Sequence, residues 1–323
     1  MKPALLQVRD LRTHFDTRSG TIKAVDGVSF TLERSEILGL VGESGSGKSV
    51  TGFSLIGLLD PPGRIAGGSI TFQGQELVGL PQAEMRKLRG KRIAMIFQDP
   101  AATLNPVLTI GQQMMMAVQA HGGTGQGAAL ALAEQSLTRV GIPDAATRLN
   151  AYPHEFSGVM RQRVAIAIAL LHEPELIIAD EPTTALDVSI QAQILAEMKT
   201  LAQESGTALI WISHDLAIVS SLADRVIVLY LGRVMEFGPV ADVLRAPLHP
   251  YTRGLLDSLP AMADPGQKLR QIPGSTPSPL HVPPGCPFAP RCGYADDRCR
   301  SDPPPVGDHL HGAFCHYPLS GPT

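Results

Sequence analysis

One segment constrains this chain more than any other. Gly42-Glu43-Ser44-Gly45-Ser46-Gly47-Lys48-Ser49 fits the spacing G-x-x-x-x-G-K-S/T and follows the apolar run Ile37–Val41. A buried strand, a glycine-rich turn and a helix start are the context in which this spacing binds phosphate. Glycines let the backbone curl so that its N–H groups face phosphate oxygens, and the helix N-terminus adds a favourable dipole. Lys48 is expected to bridge the β- and γ-phosphates of a nucleotide and Ser49 to coordinate Mg²⁺. A chance match to the spacing alone arises on the order of once in a hundred chains. The bland alternative is a flexible turn.

The rest of the chain has the pattern that such a loop requires. Short apolar runs recur at Ile93–Phe97, Leu176–Ala179, Ala208–Ile212 and Val226–Tyr230, bounded by glycine, proline or charge. Together with Ile37–Val41 they suit a parallel sheet covered on both faces, and the reading is α/β, of the P-loop NTPase (RecA-like) class. Gln7–Phe15, Ala24–Glu33 and Gly68–Gln73 alternate instead, which predicts an antiparallel β subdomain. Between about residues 101 and 165 the segments Met114–Val118 and Ala128–Val140 favour helix, so an inserted helical subdomain is expected. The ATPase domain is placed at residues 1–240 and a C-terminal extension at 241–323. Beyond Pro239 proline becomes frequent, and a mostly extended, irregular stretch is expected there.

Leu176-Ile177-Ile178-Ala179-Asp180-Glu181 is an apolar strand that ends in two carboxylates. The carboxyl edge of a parallel sheet is where a metal ligand and a water-orienting base belong. Asp180 is expected to hold Mg²⁺, directly or through water, and Glu181 to polarise the attacking water. A solvated helix cap is the alternative for both.

Four further segments stand in a telling order. Phe156-Ser157-Gly158-Val159-Met160-Arg161-Gln162-Arg163 resembles the signature motif of ABC ATPases. Phe97-Gln98-Asp99-Pro100 is similar to their Q-loop, Thr184-Ala185-Leu186-Asp187 to their D-loop and Ile212-Ser213-His214-Asp215 to their switch-histidine loop. With the P-loop and the Asp180 strand, the resemblance covers roughly residues 1–240. It implies that Gln98 senses the γ-phosphate and Mg²⁺ at the contact with a membrane subunit. It also implies that His214 holds the γ-phosphate, that Asp187 touches an opposing subunit and that Phe15 stacks on adenine, with an ordinary core phenylalanine as the alternative. In this family two subunits meet head to tail. ATP then lies between the cradle of one, here Gly42, Ser44, Gly45, Gly47, Lys48 and Ser49, and the signature of the other, here Ser157 and Gly158. The usual pattern has a second glycine where Val159 stands. A β-branched residue restricts φ, so this signature is expected to be the weaker of a pair unless its loop already has negative φ.

All four cysteines, Cys286, Cys292, Cys299 and Cys315, lie in the extension, with spacing C-x5-C-x6-C-x15-C. Together with His249-Pro250-Tyr251-Thr252 and Ile272-Pro273-Gly274, the segment Gly285–Cys292 resembles the tail of dipeptide and oligopeptide importer ATPases. The cysteine spacing departs from the C-x2-C knuckles of common zinc sites. Four thiolates would serve a 4Fe–4S cluster, which some members of the family carry, or an all-cysteine zinc site. A Cys/His mixture with His309, His311 or His316, and unligated thiols, are the other readings.

The resemblance implies an ATP-hydrolysing importer subunit whose partners are two transmembrane permeases, a second identical or related ATPase, and an extracytoplasmic peptide-binding protein reached through the permeases. A nickel importer of the same branch, or a non-transport ABC ATPase, is the alternative. The net charge of -3 gives no reason to expect a nucleic-acid partner. Met1–Phe15 lacks the apolar core of an export signal, and Val164–Leu171 falls far short of the roughly 20 residues that span a bilayer. A peripheral place on the cytoplasmic face of the membrane, held by the permeases, is expected.

Overall fold

Runs of aliphatic and β-branched residues without a polar face fold as strands buried on both sides. β3 (Ile37–Val41), β7 (Leu176–Asp180) and β8 (Ala208–Ser213) are accordingly buried at every residue. The computed structural model describes residues 4–183, 188–259, 270–305 and 310–319, with backbone only at 188, 189 and 201. The chain divides into two units: residues 1–33, 37–78 and 211–323 form the first, and residues 34–36 and 79–210 the second.

The first unit holds an antiparallel sheet of β1 (Leu6–Thr17), β2 (Gly20–Leu32), β4 (Gly63–Phe72) and β5 (Gln75–Glu76), in the order β2-β1-β4-β5. Leu6, Val8, Leu11 and Thr13 of β1 are buried, whereas Arg9, Asp10 and Arg12 are exposed. The register shift between Val8 and Leu11 inserts a bulge, with Asp10 at φ 46°, that returns Leu11 to the buried face. A second set of strands runs β11-β10-β9-β3, where β9 is Arg225–Tyr230, β10 is Arg233–Pro239 and β11 is Gly312–Ala313. β3 and β9 are parallel from Leu38↔Arg225 to Val41↔Val228, and β10 is antiparallel to both β9 and β11. Its helices are α1 (Lys48–Leu55), α9 (Leu216–Leu222), α10 (Val240–Arg245), α11 (Pro250–Asp257) and α12 (Asp297–Ser301).

In the second unit β6 (Ile93–Ile96) pairs in parallel with β7, from Ile93↔Leu176 to Ile96↔Ala179. The helices are α2 (Gln82–Leu88), α3 (Pro100–Thr103), α4 (Ile110–Gln119), α5 (Gln126–Arg139), α6 (Ala145–Arg148), α7 (Gly158–Leu170) and α8 (Val188–Ser205). α4 starts at a capping box, Thr109 with Gln112, and buries Met114 and Val118. α5 and α7 bury Ala133, Leu137, Val164 and Ala167. Small residues on these faces let the helices pack closely.

The stretch beyond Pro239 is less irregular than its prolines suggest. Pro239 caps α10 and Pro250 opens α11, positions where a missing N–H costs nothing. Glu236 on β10 anchors the start of the extension. Its carboxylate is fully buried and accepts the backbone N–H groups of Leu248 and His249, each at 2.8 Å, and a hydrogen bond from His311 Nε2 at 2.7 Å. Removing such an acceptor orphans buried donors, so Glu236→Leu is expected to lower the unfolding free energy by about 3–5 kcal/mol. Denaturant titration of the full chain checks this; a loss below about 1 kcal/mol would show that the extension is held by packing alone.

Candidate nucleotide site

In the first unit β3 runs straight into the loop, and the loop fits only because side chains are missing. Gly42 has φ 153°, and a Cβ there would lie 2.1 Å from the Leu229 carbonyl oxygen. Gly47 has φ 98°, and a Cβ there would lie 2.3 Å from the Ala24 carbonyl oxygen. Around Gly45 and the exposed Ser44 the loop is open, with nothing within 4 Å of a Cβ built at Gly45. Lys48 folds back over the turn, its ammonium donating to the Gly42 carbonyl at 2.8 Å and the Glu43 carbonyl at 3.1 Å. Ser49 follows in the first turn of α1. The Ser46 hydroxyl is buried and has no partner among the described residues. An ammonium satisfied by its own loop, an orphaned hydroxyl and an open cradle are what a polyphosphate would complete.

Two other expected residues belong to the same unit. Phe15, half-buried on β1, pairs with Ile22 and Gly63, and a Cβ on Gly63 would come within 2.6 Å of its ring. His214 is exposed and directly follows β8. Asp215 then caps α9 by accepting the Ala217 N–H at 2.8 Å.

The second unit brings Gln98 and Glu181 together. Because Ile96 stands opposite Ala179, each side chain two residues further on emerges beside the other, and Gln98 Nε2 donates to Glu181 Oε2 at 3.2 Å. Asp180, the last residue of β7, is buried. Glu181 has φ 44°, a left-handed conformation that costs an ordinary residue roughly 1–2 kcal/mol and is kept where function needs it. The Ser49 hydroxyl and the Asp180 carboxylate are hard oxygen donors of the kind that Mg²⁺ takes.

Ser157 caps α7, accepting the Met160 N–H at 3.2 Å, and nothing lies within 4 Å of a Cβ built on Gly158. The strain expected at Val159 is absent. Val159 lies in the first turn of α7 and is not among the residues with positive φ, so a β-branched side chain meets no backbone penalty there. Asp187 lies outside the described residues.

The cysteines share one segment of the first unit. Cys286 N–H donates to the Cys299 carbonyl at 2.8 Å, and Cys286 and Cys299 are buried. Burial pushes the Cys286 and Cys315 thiols up to about 11, and each also feels the negative charge of neighbouring cysteine thiolates. Burial likewise raises Cys292 and Cys299. Among the described residues no three His, Cys, Asp or Glu side chains are arranged to hold a metal ion. Two of the histidines are engaged elsewhere: His311 holds Glu236, and His316 Nε2 pairs with the Asp302 carbonyl at 3.0 Å. Such a bond leaves Nδ1 as the nitrogen of either ring that could ligate, and the His316 Nδ1 is buried with no partner among the described residues; His309 lies outside the described residues.

Sequence reasoning missed the residues that tie the extension to the loop. The Tyr251 hydroxyl accepts the Glu43 N–H at 2.9 Å, and Arg291 grips the Glu43 carboxylate at 2.6 and 3.1 Å. Tyr251 and Arg291 both lie in segments that had marked the tail only as a family trait. An arginine beside a cysteine, in a stretch from Gly285 to Ala295 that has no acid to pair with it, was the available signal.

Comparisons with known proteins identify the family. The family model described as ABC transporter matches residues 25–184, and that described as Oligopeptide/dipeptide transporter, C-terminal region matches residues 235–299. The oligopeptide transport ATP-binding protein OppD of Escherichia coli (strain K12) is 50% identical over 301 residues, 93% of this chain and 89% of that protein. The dipeptide transport ATP-binding protein DppD of the same organism is 46% identical over 318 residues, 98% of this chain and 97% of that protein. Among solved structures, the dimeric MJ0796, a bacterial ABC transporter cassette, matches with a TM-score of 0.65 at 27% identity, covering 73% of this chain and 98% of that one. No helix among the described residues is long and apolar enough to cross a membrane. A cassette with its P-loop, its signature helix and this C-terminal region therefore belongs to the ATP-hydrolysing subunits of ABC transporters, in the branch of the oligopeptide and dipeptide transporters.

Proposed function

We propose that this chain binds and hydrolyses Mg·ATP to power import of dipeptides or oligopeptides through partner permeases. The Lys48 ammonium held over an open, glycine-bounded cradle is the observation that carries this reading. On arrival of ATP, Lys48 would exchange the Gly42 and Glu43 carbonyls for β- and γ-phosphate oxygens, while loop N–H groups and the Ser46 hydroxyl take the rest. Ser49 and Asp180 would hold Mg²⁺, which offsets charge developing on the phosphate oxygens. Glu181 would orient and deprotonate water, with Gln98 hydrogen-bonded to it as the residue that reports the γ-phosphate. His214 would contact the γ-phosphate and Phe15 the adenine. Ser157 and Gly158 would close on the nucleotide of an opposing subunit, for which the open space at Gly158 is the support. Asp187 would meet that subunit.

The proposed division is an ATPase domain to residue 240 followed by the extension, in line with a C-terminal region matched from residue 235. The chain would sit at the cytoplasmic face of the membrane, held there by the permeases, and receive substrate from an extracytoplasmic peptide-binding protein through them. For the four cysteines we propose a soft metal centre, a 4Fe–4S cluster or zinc. Supporting it, all four cysteines of the chain are gathered between residues 286 and 315, and thiolates are ligands of soft metals.

Glu181→Gln is expected to keep Mg·ATP binding and lower turnover by about 100-fold or more, because an amide cannot accept the proton of the attacking water. Lys48→Ala is expected to weaken nucleotide binding itself. Phosphate release by the transporter with permeases present measures the first and nucleotide titration the second; a Glu181 variant within a few-fold of wild type would remove it from the role of base. For the tail, metal analysis of protein purified without oxygen is expected to find iron with sulfide, or zinc, and to lose it in Cys292→Ser. Metal-free protein with four titratable thiols would leave the cysteines as packing residues.

A further inference from the structure

Glu43 is the second residue of the phosphate loop, and every polar atom it has is held. Its N–H goes to the Tyr251 hydroxyl, and its carbonyl accepts from Ser46 N–H at 3.1 Å and from Lys48 at 3.1 Å. Its carboxylate takes both arms of Arg291 and a hydrogen bond from the Thr276 hydroxyl at 3.2 Å. Arg291 in turn is fixed by the Pro273 carbonyl at 3.0 Å and the Tyr230 hydroxyl at 3.2 Å, and its guanidinium stands 5.8 Å from the Tyr230 and Phe288 ring centres. Only 6% of the Arg291 side chain is exposed, against 28% for Glu43. Arg291 itself lies in the turn Ala289–Arg291, between Cys286 and Cys292.

A carboxylate built into a loop that must receive a polyphosphate is a liability. Unpaired, it repels the incoming anion, and it competes for the ammonium of Lys48. A bidentate guanidinium removes that charge from the field and also fixes the loop, which a mobile lysine would do less well. We infer that Arg291 is a positioning residue of the ATP site: through Glu43 it neutralises the loop and presets the cradle, so the cysteine-bearing extension completes the nucleotide site. The inference rests on the ATP-binding reading above.

The test is titration of the purified full-length chain with a fluorescent Mg·ATP analogue, alongside thermal unfolding and steady-state turnover. Arg291→Met is expected to weaken nucleotide binding about 10-fold or more and to raise KM similarly, while kcat at saturation stays within about threefold. Adding Glu43→Gln to Arg291→Met is expected to restore affinity to within about threefold of wild type, because the unpaired carboxylate is gone. A purely structural role predicts something else: lower thermal stability, unchanged affinity of the folded protein and no rescue by Glu43→Gln. If Arg291→Met does not fold, Arg291→Lys replaces it, with a loss of about three- to tenfold expected, and affinity within twofold of wild type overturning the inference. By reciprocity, nucleotide is expected to slow amide exchange across Ala289–Cys292. Wild-type protein that fails to bind the analogue, like Lys48→Ala, would sink the ATPase reading. Wild-type binding with an unaltered Arg291 variant would sink only this inference.

Discussion

Two backbone carbonyls set the terms for the nucleotide loop. The Leu229 oxygen presses on Gly42 and the Ala24 oxygen on Gly47, each at a distance that no Cβ could survive. The first contact follows from the pairing of β3 with β9: Val41 stands opposite Val228, so the next residue of each strand is brought face to face. The turn after β9 completes the enclosure, with Gly232 N–H donating to Ser46 and its carbonyl accepting from Asp26 N–H. Arg233 then closes on Asp26 at 2.9 Å. The loop's shape is thus imposed by its neighbours, and the ready-made direction of its N–H groups is the result.

The parts of this arrangement that local pattern encodes were readable from the residues. Ile37–Val41 was bounded as the strand it is, and the apolar runs at 176, 208 and 226 came within a residue or two of β7, β8 and β9. The pairing of Gln98 with Glu181 was not derivable, since it depends on strand register. What escaped were partners far apart in sequence and helix starts marked by proline. Glu236 reads as one more surface acid until the chain returns to it, and Arg291 lies 248 residues from Glu43. α10 and α11 are hidden because proline reads as a breaker, whereas Pro239 caps one helix and Pro250 opens the other. Val159 misled in the opposite direction, because a family pattern stood in for a backbone angle.

The extension has few aliphatic residues and relies on aromatic rings around buried polar groups. Tyr230, Tyr251 and Phe288 pack tilted or edge-on, with ring centres 4.7 to 5.5 Å apart. His249 completes the group. Its imidazole is held neutral by burial, down to about 3, and its Nδ1 accepts the Tyr251 N–H as the cap of α11. Rings of this size give a short, proline-broken segment the contact area that its aliphatic content cannot.

The parallel register of β6 and β7 carries a consequence for how such a chain can change over time. Successive residues of a strand advance about 3.3 Å and point to opposite faces. Inserting or deleting one residue in either strand would swing Gln98 or Glu181 to the wrong side and break their hydrogen bond at a stroke. The glycine-rich link between α4 and α5, exposed over most of residues 121–125, has no such register to respect. Lineages of this chain are therefore free to lengthen and shorten at that link, while the four residues of β6 and five of β7 stay fixed in number even where every side chain in them is exchanged.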